Sequence, residues 1–151
     1  MSARDRLTAL GLTLPAPPQP AGAYTRATRA GELIFVAGQL PLRDGGIVYA
    51  GKVGGDLSVE DGYAACQLCA LNALSVLEAE IGSLDEVKQI LRMSGFVCSA
   101  PGFTDQAKVV NGASELMKEV LGDRGIHARL AIGVSELPLG AAVELEVIAQ
   151  V

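Results

Sequence analysis

The C-terminal stretch from Gly125 to Val151 constrains the fold of this chain most strongly, because it contains two strand-like segments separated by a short loop. The segment 129–134 is apolar after its initial arginine. The segment 143–151 alternates between an apolar face (Val143, Leu145, Val147 and Ala149) and a second face (Glu144, Glu146, Ile148 and Gln150). Such alternation predicts a strand with one buried face. Pro138 and Gly140 interrupt strand pairing and predict the loop.

Two charged residues in this stretch indicate a binding function. If the two strands lie side by side, Arg129 at the start of the first can approach Glu144 at the start of the second. An arginine offers a planar fork of donors that binds a carboxylate through two parallel hydrogen bonds. Arg129 could therefore bind an acidic ligand, or it could pair with Glu144 and hold the two strands together.

The same residues resemble a known family. The run HARLAIGVSELPLGAAVELE, which starts at His127, is similar to the signature of the RidA family, also called YjgF/YER057c/UK114 and, in older usage, endoribonuclease L-PSP. The resemblance extends upstream to Ala23-Tyr24 and to LIFVAGQLPL at 33–42. It implies an α+β, chorismate-mutase-like fold in which two helices pack on one face of a mixed sheet. It also implies a homotrimer with clefts between subunits.

The resemblance further implies an activity and the residues that carry it. Relatives are imine or enamine deaminases that hydrolyse reactive 2-aminoacrylate-type compounds to 2-keto acids and ammonia, with no cofactor and no metal. Arg129 would bind the substrate carboxylate, and Glu144 would position water or exchange a proton. Tyr24, Gly38 and Asn111 would complete the substrate pocket. From the residues alone, Gly38 could equally be a bend at a strand end, and Asn111 an exposed helix residue.

The order of elements agrees with that fold. Strands are predicted over 24–30, 33–39 and 47–49, a long helix over 58–81, a strand over 87–98, and a second helix from an N-cap at Thr104 to about 121. The two C-terminal strands follow, which gives the order βββ-α-β-α-ββ. A leader at 1–20, with helical turns at 4–10 and an extended proline-rich part, is expected to pack on the surface of a single domain at 21–151.

The amino-acid composition indicates which kinds of partner the chain can bind. Half of the residues are hydrophobic but only 4% are aromatic, and a small apolar chain of this kind favours burial at a subunit interface over a tightly packed monomer. The 12 basic residues are scattered and the net charge is −5, which argues against nucleic acid as a partner and against a ribonuclease. No apolar run of membrane-spanning length and no signal peptide are expected, so the predicted location is cytoplasmic.

Each of two remaining motifs allows a structural and a functional interpretation. Cys66 and Cys69 form a C-x-x-C whose functional interpretation is redox or zinc chemistry, but its place inside a helix favours a structural role as small core residues. His127 is the only histidine. It could be an acid–base group, but a loop or interface residue is favoured. The sequence also leaves a second function open, namely a non-catalytic trimer that binds small carboxylates or partner proteins.

Overall fold

The computed structural model describes residues 1–20 and 22–151, whose strands form a five-stranded sheet and a two-stranded hairpin. The sheet strands are β1 (Ala27–Ala30), β2 (Leu33–Gln39), β5 (Gln89–Cys98), β6 (Ala128–Val134) and β7 (Val143–Gln150), and the hairpin strands are β3 (Leu42–Arg43) and β4 (Gly46–Ile47). Strands β5 and β6 are parallel, and the other neighbours in the sheet are antiparallel. The predicted mixed sheet is confirmed, although β1 and β4 are shorter than expected.

Three α-helices accompany the strands, namely α1 (Ala3–Ala9), α2 (Val59–Ile81) and α3 (Gln106–Leu121). Helix α2 begins at a capping box in which Ser58 and Asp61 each accept a backbone N–H of the other, and it ends at Gly82 with φ of 85°. The predicted N-cap of α3 is wrong. The cap is Asp105 instead of Thr104, and the Asp105 side chain makes no capping hydrogen bond.

Helices α2 and α3 pack against each other and cover the same face of the sheet, as predicted. The buried face of β7 consists of the four apolar residues that its alternation predicted, each at most 1% exposed. Close approach of the two helices depends on Gly112, because a Cβ there would lie 2.2 Å from the backbone oxygen of Tyr63. This packing fixes the position of α3 above strands β5 and β6.

The strand order separates the two C-terminal strands, whose pairing the sequence left open as a condition for contact between Arg129 and Glu144. Strands β6 and β7 follow each other in the chain but are not neighbours, because the sheet order is β1-β2-β7-β5-β6. The crossover through α3 returns β6 parallel to β5 on one side, so that β6 is an edge strand. The loop at 135–142 then carries the chain to the other side of β5, where β7 inserts between β5 and β2.

The leader packs on the domain as a surface strap. Ala3 and Leu7 on α1 are 1% and 4% exposed and belong to the main hydrophobic core. The Ala3 backbone N–H donates to the Asp85 carboxylate at 2.9 Å, and Arg4 pairs with Glu78 at 3.0 Å. Helix α1 therefore contributes to the core, and the expected helical turns at 4–10 are confirmed with a shift of one residue.

The sequence was expected to contain no segment long and apolar enough to span a membrane, but helix α2 meets both criteria. By length and composition alone, its 23 residues would suffice to cross a bilayer. Most of its apolar side chains are instead buried within the domain, against the sheet and α3. A helix that is apolar nearly all round is what a position between a sheet and a second helix requires.

The second face of the sheet carries exposed apolar side chains. The strand register places Phe35 beside Ile148, and Phe96 beside Ile132, on the face opposite the helices. Phe35 is 41% exposed and Ile132 is 44% exposed. An apolar sheet face of this kind is typical of a surface that another molecule covers.

Candidate functional site

Arg129 is held on the helix-covered face at the edge of the sheet. Its register partners are Met93 and, one strand further, Val147, which are both buried beneath the helices. One guanidinium nitrogen, Nη1, donates to Ser114 Oγ at 3.0 Å, and Nη2 donates to the backbone oxygen of Ala107 at 3.0 Å. Both acceptors belong to α3 and are uncharged, so the guanidinium is oriented without being neutralised.

The guanidinium borders a cavity of about 380 Å³ between α3 and the start of β6. Residues from the two elements line it: Asn111, Ser114, Glu115, Lys118, Ile126, His127 and Arg129. The four α3 residues fall on one stripe of the helix, because their spacing of three and four positions matches the helical repeat. The structure thus places the predicted Asn111 at the same cavity as Arg129.

The charges around this cavity leave Arg129 available for a ligand. The Glu115 carboxylate accepts a hydrogen bond from the Tyr63 hydroxyl, which raises the Tyr63 pKa to about 12. Among the described residues, neither Arg129 nor Lys118 forms an ion pair with a carboxylate. Two cations therefore face the cavity, and its one carboxylate already has a partner.

His127 joins the same cluster. Its Nε2 lies 3.0 Å from Ser114 Oγ, and its Nδ1 lies 2.7 Å from the backbone oxygen of Gly125. Burial lowers the His127 pKa from its ordinary value, a carbonyl hydrogen bond opposes this, and the nearby Arg129 charge lowers the pKa further. The sequence favoured a loop or interface role for His127, whereas the structure links it to Arg129 through one hydroxyl.

Glu144 does not meet Arg129 within the chain, because the condition for their approach, pairing of β6 with β7, is not met. Glu144 aligns with Phe96 and, through it, with Ile132, on the face opposite the helices. Strand β5 lies between the two strands, and the two side chains point to opposite faces. Burial raises the Glu144 pKa, and the neighbouring Glu146 raises it further.

Gly38 lies against Glu144. A register irregularity between Val36 and Gln39 bends β2 at this point, and a Cβ on Gly38 would lie 2.2 Å from Glu144 Oε1. The strand-end bend that the sequence allowed for Gly38 is therefore present, and the close approach of a neighbouring group explains why a side chain is absent. The approaching group within the chain is the Glu144 carboxylate.

Tyr24 lies far from Arg129. It precedes β1, at the sheet edge opposite β6, and is 59% exposed. Four strand spacings separate the two edges, which amounts to roughly 19 Å. A single chain therefore brings Asn111 and Arg129 together, brings Gly38 and Glu144 together, and leaves Tyr24 distant from Arg129.

Sequence reasoning missed Ser114 as a functional residue. It lies three positions after Asn111, so the helical stripe through Asn111 could have identified it. Glu115 and Lys118 continue the same stripe. That signal was weak because a polar stripe on a helix is usually a solvated face.

A larger cavity lies elsewhere and is a poorer candidate. It measures about 630 Å³ and lies between the leader, the β3–β4 hairpin and α2. Most of its lining is apolar or backbone from the proline-rich leader, and its charged residues are Arg43 and Asp44. No cluster of titratable groups comparable to that around Arg129 converges on it.

The cysteines are buried and free of disulfides. Cys66 and Cys69 are both 0% exposed within α2, as expected for core residues. Burial raises the pKa of the Cys66 thiol to about 12 and also raises that of Cys69, so neither is primed as a nucleophile. Within residues 1–20 and 22–151, no group of three or more metal-binding side chains converges.

Comparison with known proteins places the chain in a family. Residues 4–151 match the model described as "YjgF/chorismate mutase-like, putative endoribonuclease", and the chain belongs to this family. The matched range begins inside the leader, so most of the strap lies within it.

Three relatives resemble the chain over nearly its whole length. Protein TCP17 of Trypanosoma cruzi is 43% identical over 145 residues, which cover 95% of this chain and 91% of TCP17. The crystal structure of Atu1372 from Agrobacterium tumefaciens, a protein described as of unknown function, is 40% identical with a TM-score of 0.93 and covers 99% of this chain and 92% of its own. A structure from Shewanella oneidensis, described as a putative endoribonuclease, is 32% identical with a TM-score of 0.97 and covers 100% of both chains.

Proposed function

We propose that this protein hydrolyses small 2-imino or enamino carboxylates to 2-keto acids and ammonia, without a cofactor. The observation that supports this most directly is the Arg129 guanidinium, which is oriented by two neutral acceptors and faces a cavity of about 380 Å³. An arginine has five N–H donors, and the two bonds to α3 leave the others for a ligand. A small planar carboxylate matches the remaining donors in charge and geometry.

The chemistry requires little beyond positioning. A protonated imine next to a bound carboxylate is already electrophilic, so a positioned water and a group that accepts its proton are sufficient. Asn111 at the same cavity offers an amide that can orient the imine or the water. Lys118 adds positive potential that attracts an anionic substrate.

We further propose that the protein is a homotrimer in which a neighbouring subunit completes each site. Glu144, Gly38 and Tyr24 lie on the other face or the other edge of the sheet from Arg129, so a second copy would have to bring them to the Arg129 cavity. The exposed apolar side chains on the sheet face, including Phe35 and Ile132, offer a surface for that contact. We also propose a cytoplasmic location, in line with three buried free thiols.

The test of the activity is a coupled assay. A threonine or serine dehydratase generates 2-aminocrotonate or 2-aminoacrylate in place, and the release of 2-ketobutyrate or pyruvate is followed with and without the purified protein. We expect the protein to accelerate keto-acid release, and Arg129→Ala to abolish that acceleration. No acceleration at any protein concentration would overturn the proposal.

A second candidate is a non-catalytic protein that binds small carboxylates. The observation that favours it is the separation of Glu144 from Arg129 within the chain, together with the engagement of Glu115 by Tyr63. Calorimetric binding of pyruvate or 2-ketobutyrate, combined with an inactive coupled assay, would support this candidate over the first.

Nucleic acid is not proposed as a substrate, although the family description includes an endoribonuclease. The cavity contributes only Lys118 and Arg129 as cations, while the chain has a net charge of −5. Binding to RNA requires several phosphate contacts and usually aromatic platforms.

A further inference from the structure

Three side chains beside the candidate site form a continuous chain of hydrogen bonds. Arg129 Nη1 and Ser114 Oγ are 3.0 Å apart, Ser114 Oγ and His127 Nε2 are 3.0 Å apart, and His127 Nδ1 lies 2.7 Å from the Gly125 oxygen. The proposed function uses only the first of these groups. Ser114 and His127 both line the Arg129 cavity, so they can act on a ligand held there.

The donor and the acceptor in each of these hydrogen bonds follow from the chemistry of the groups. A carbonyl oxygen accepts only, so His127 Nδ1 carries the hydrogen that it donates to Gly125. In the neutral imidazole, Nε2 then has a free lone pair, and it accepts from the Ser114 hydroxyl. The Ser114 oxygen in turn accepts from Arg129, which can only donate. Neutral His127 is therefore hydrogen-bonded as a base to a hydroxyl next to the guanidinium.

The groups around His127 favour that neutral form. Burial and the Arg129 charge on β6 lower the His127 pKa, while the Gly125 carbonyl raises it. From α3, Lys118 and Glu115 also line the cavity, and the Tyr63 hydroxyl of α2 binds Glu115. A ligand carboxylate on Arg129 would offset the guanidinium charge and make protonation of His127 easier.

We propose that Ser114 and His127 form the proton relay of the Arg129 site, with Ser114 contacting the reacting groups and His127 acting through it. The inference rests on the proposed imine hydrolysis and supplies an acid–base group from the same chain as Arg129. Glu144 from a neighbouring subunit would then position the water or the leaving group.

The relay accounts for both halves of the reaction with atoms and charges balanced. In the first half, the water oxygen bonds to the imine carbon, the C=N π pair moves to nitrogen, and one water proton passes to Ser114 Oγ as the Ser114 proton passes to His127 Nε2. In the second half, the imidazolium returns a proton through Ser114 to the amino nitrogen. The C–N bond then breaks with its electron pair on nitrogen, the carbonyl forms as the hydroxyl proton passes to the departing ammonia, and the products are a 2-keto acid and ammonium.

The single histidine makes a direct test possible. Nitrogen-15 NMR of the imidazole should show the tautomer with hydrogen on Nδ1 and a His127 pKa below its ordinary 6.5. Saturating pyruvate should raise that pKa in the wild type, and Arg129→Ala should remove the effect of pyruvate. The opposite tautomer, or a pKa that pyruvate leaves unchanged in a binding-competent protein, would overturn the relay.

The kinetic test uses His127→Gln, which retains a hydrogen-bonding group for Ser114 but cannot titrate. Because neutral His127 accepts the proton, wild-type kcat should rise as pH increases through the His127 pKa. His127→Gln should lose this dependence and lower kcat about 100-fold, a typical contribution of acid–base catalysis. Its pyruvate affinity should change by less than about threefold, since the acceptor for Arg129 remains. Ser114→Ala should lower both rate and affinity.

A matched control variant tests whether the effect is specific to the relay, and two possible results distinguish failure of the relay from failure of the proposed deaminase activity. Ser99→Ala removes a hydroxyl that donates to Val97 O and accepts from Gln106, outside the lining of the Arg129 cavity, and should leave the pH profile unchanged. A His127→Gln protein with wild-type rate and pH profile, alongside an inactive Arg129→Ala, would overturn the relay and leave the deaminase proposal intact. A wild-type protein without activity in the coupled assay would overturn the deaminase proposal and the relay with it.

Discussion

Arg129 and Glu144 lie on opposite faces of the same sheet, with strand β5 between their two strands. Arg129 points toward the helices, where α3 orients it, and Glu144 points toward the exposed apolar face. Two residues that a shared site requires are therefore separated within one chain. Under the proposed trimer, a neighbouring copy would supply the groups that the Arg129 cavity lacks, so the proposal links activity to assembly.

The first prediction concerns that assembly. Light scattering at micromolar concentration should give about three times the 15.6 kDa chain mass, because the exposed apolar residues favour burial between subunits. Phe35→Glu would introduce a charge on the apolar face and should dissociate the trimer and reduce activity together. Thr8→Glu, on the exposed surface of α1, serves as the matched control. A monomeric wild type would exclude a site shared between subunits.

The second prediction concerns the contact between Gly38 and Glu144. Gly38→Ala places a methyl group where a carboxylate oxygen lies 2.2 Å away, so Glu144 or the β2 bend must move. We expect a destabilisation of about 1–3 kcal/mol in chemical denaturation. Gly46→Ala is a suitable control, because its new methyl group would meet no atom closer than 4.0 Å. Equal stabilities for the two variants would contradict the tight approach.

The third prediction concerns the paired cysteines. Cys66→Ala combined with Cys69→Ala removes two buried sulfur atoms and should lower the free energy of unfolding by about 1–3 kcal/mol in total. Pyruvate binding should persist, since neither residue contacts the Arg129 cavity. Metal analysis of the untreated protein should find no stoichiometric zinc. Zinc that is present in the wild type and lost in the double variant would refute the assignment to the core.

The fourth prediction concerns the leader. Leu7 is 4% exposed and belongs to the main core, so Leu7→Ala should destabilise the whole domain by about 2–4 kcal/mol. Leu10 lies three positions on and is 41% exposed, which makes Leu10→Ala a matched control with little effect. A single cooperative transition, shifted only in Leu7→Ala, would show that the leader folds with the domain. An unshifted transition in Leu7→Ala would show that it does not.

The sequence predicted the secondary-structure elements and their buried faces better than it predicted which strands and side chains are neighbours. Alternation in 143–151 identified the buried face of β7 correctly, because a strand has a fixed period of two and a single core to face. Ser58 and Gly82 marked the ends of α2 through local hydrogen bonds and backbone geometry that need no tertiary information. Signals of this kind are contained within a few residues, so they can be read directly.

The strand order and the contacts between side chains distant in sequence were harder to predict. A contact between Arg129 and Glu144 depended on β6 and β7 lying side by side, whereas β5 lies between them as a result of the crossover through α3. The Ser114–His127 contact joins α3 to the segment before β6. The two residues are 13 positions apart in the sequence, and no local sequence pattern predicts their contact. Of the site residues predicted beside Arg129, namely Glu144, Tyr24, Gly38 and Asn111, only Asn111 lines the Arg129 cavity within one chain, and the hydrogen bonds inside the cavity depend on packing.

The last prediction concerns Arg129 as the carboxylate anchor. Arg129→Lys keeps the charge but loses the planar pair of donors, and Arg129→Ala loses both. A lost charged hydrogen bond costs about 1.5–3 kcal/mol, which corresponds to roughly tenfold to over a hundredfold in affinity or rate. Both variants should therefore sharply reduce keto-acid release and pyruvate binding while the trimer still forms. The measurements are calorimetry with pyruvate or 2-ketobutyrate, the coupled assay and a thermal melt.

The alternative is that Arg129 serves only the fold, and Glu144→Gln distinguishes the two roles. An Arg129–Glu144 pair within the chain would make Arg129→Ala and Glu144→Gln destabilise alike, but the two residues lie on opposite faces of the sheet. Because the folded-state pKa of Glu144 is raised, its ionised form opposes folding, and Glu144→Gln should not lower the melting temperature at neutral pH. Arg129→Ala loses two hydrogen bonds to α3 and should melt slightly earlier than wild type. Unchanged keto-acid affinity in a folded, trimeric Arg129→Ala protein would refute the anchor role, because Arg129 carries the only guanidinium among the described residues that line the cavity.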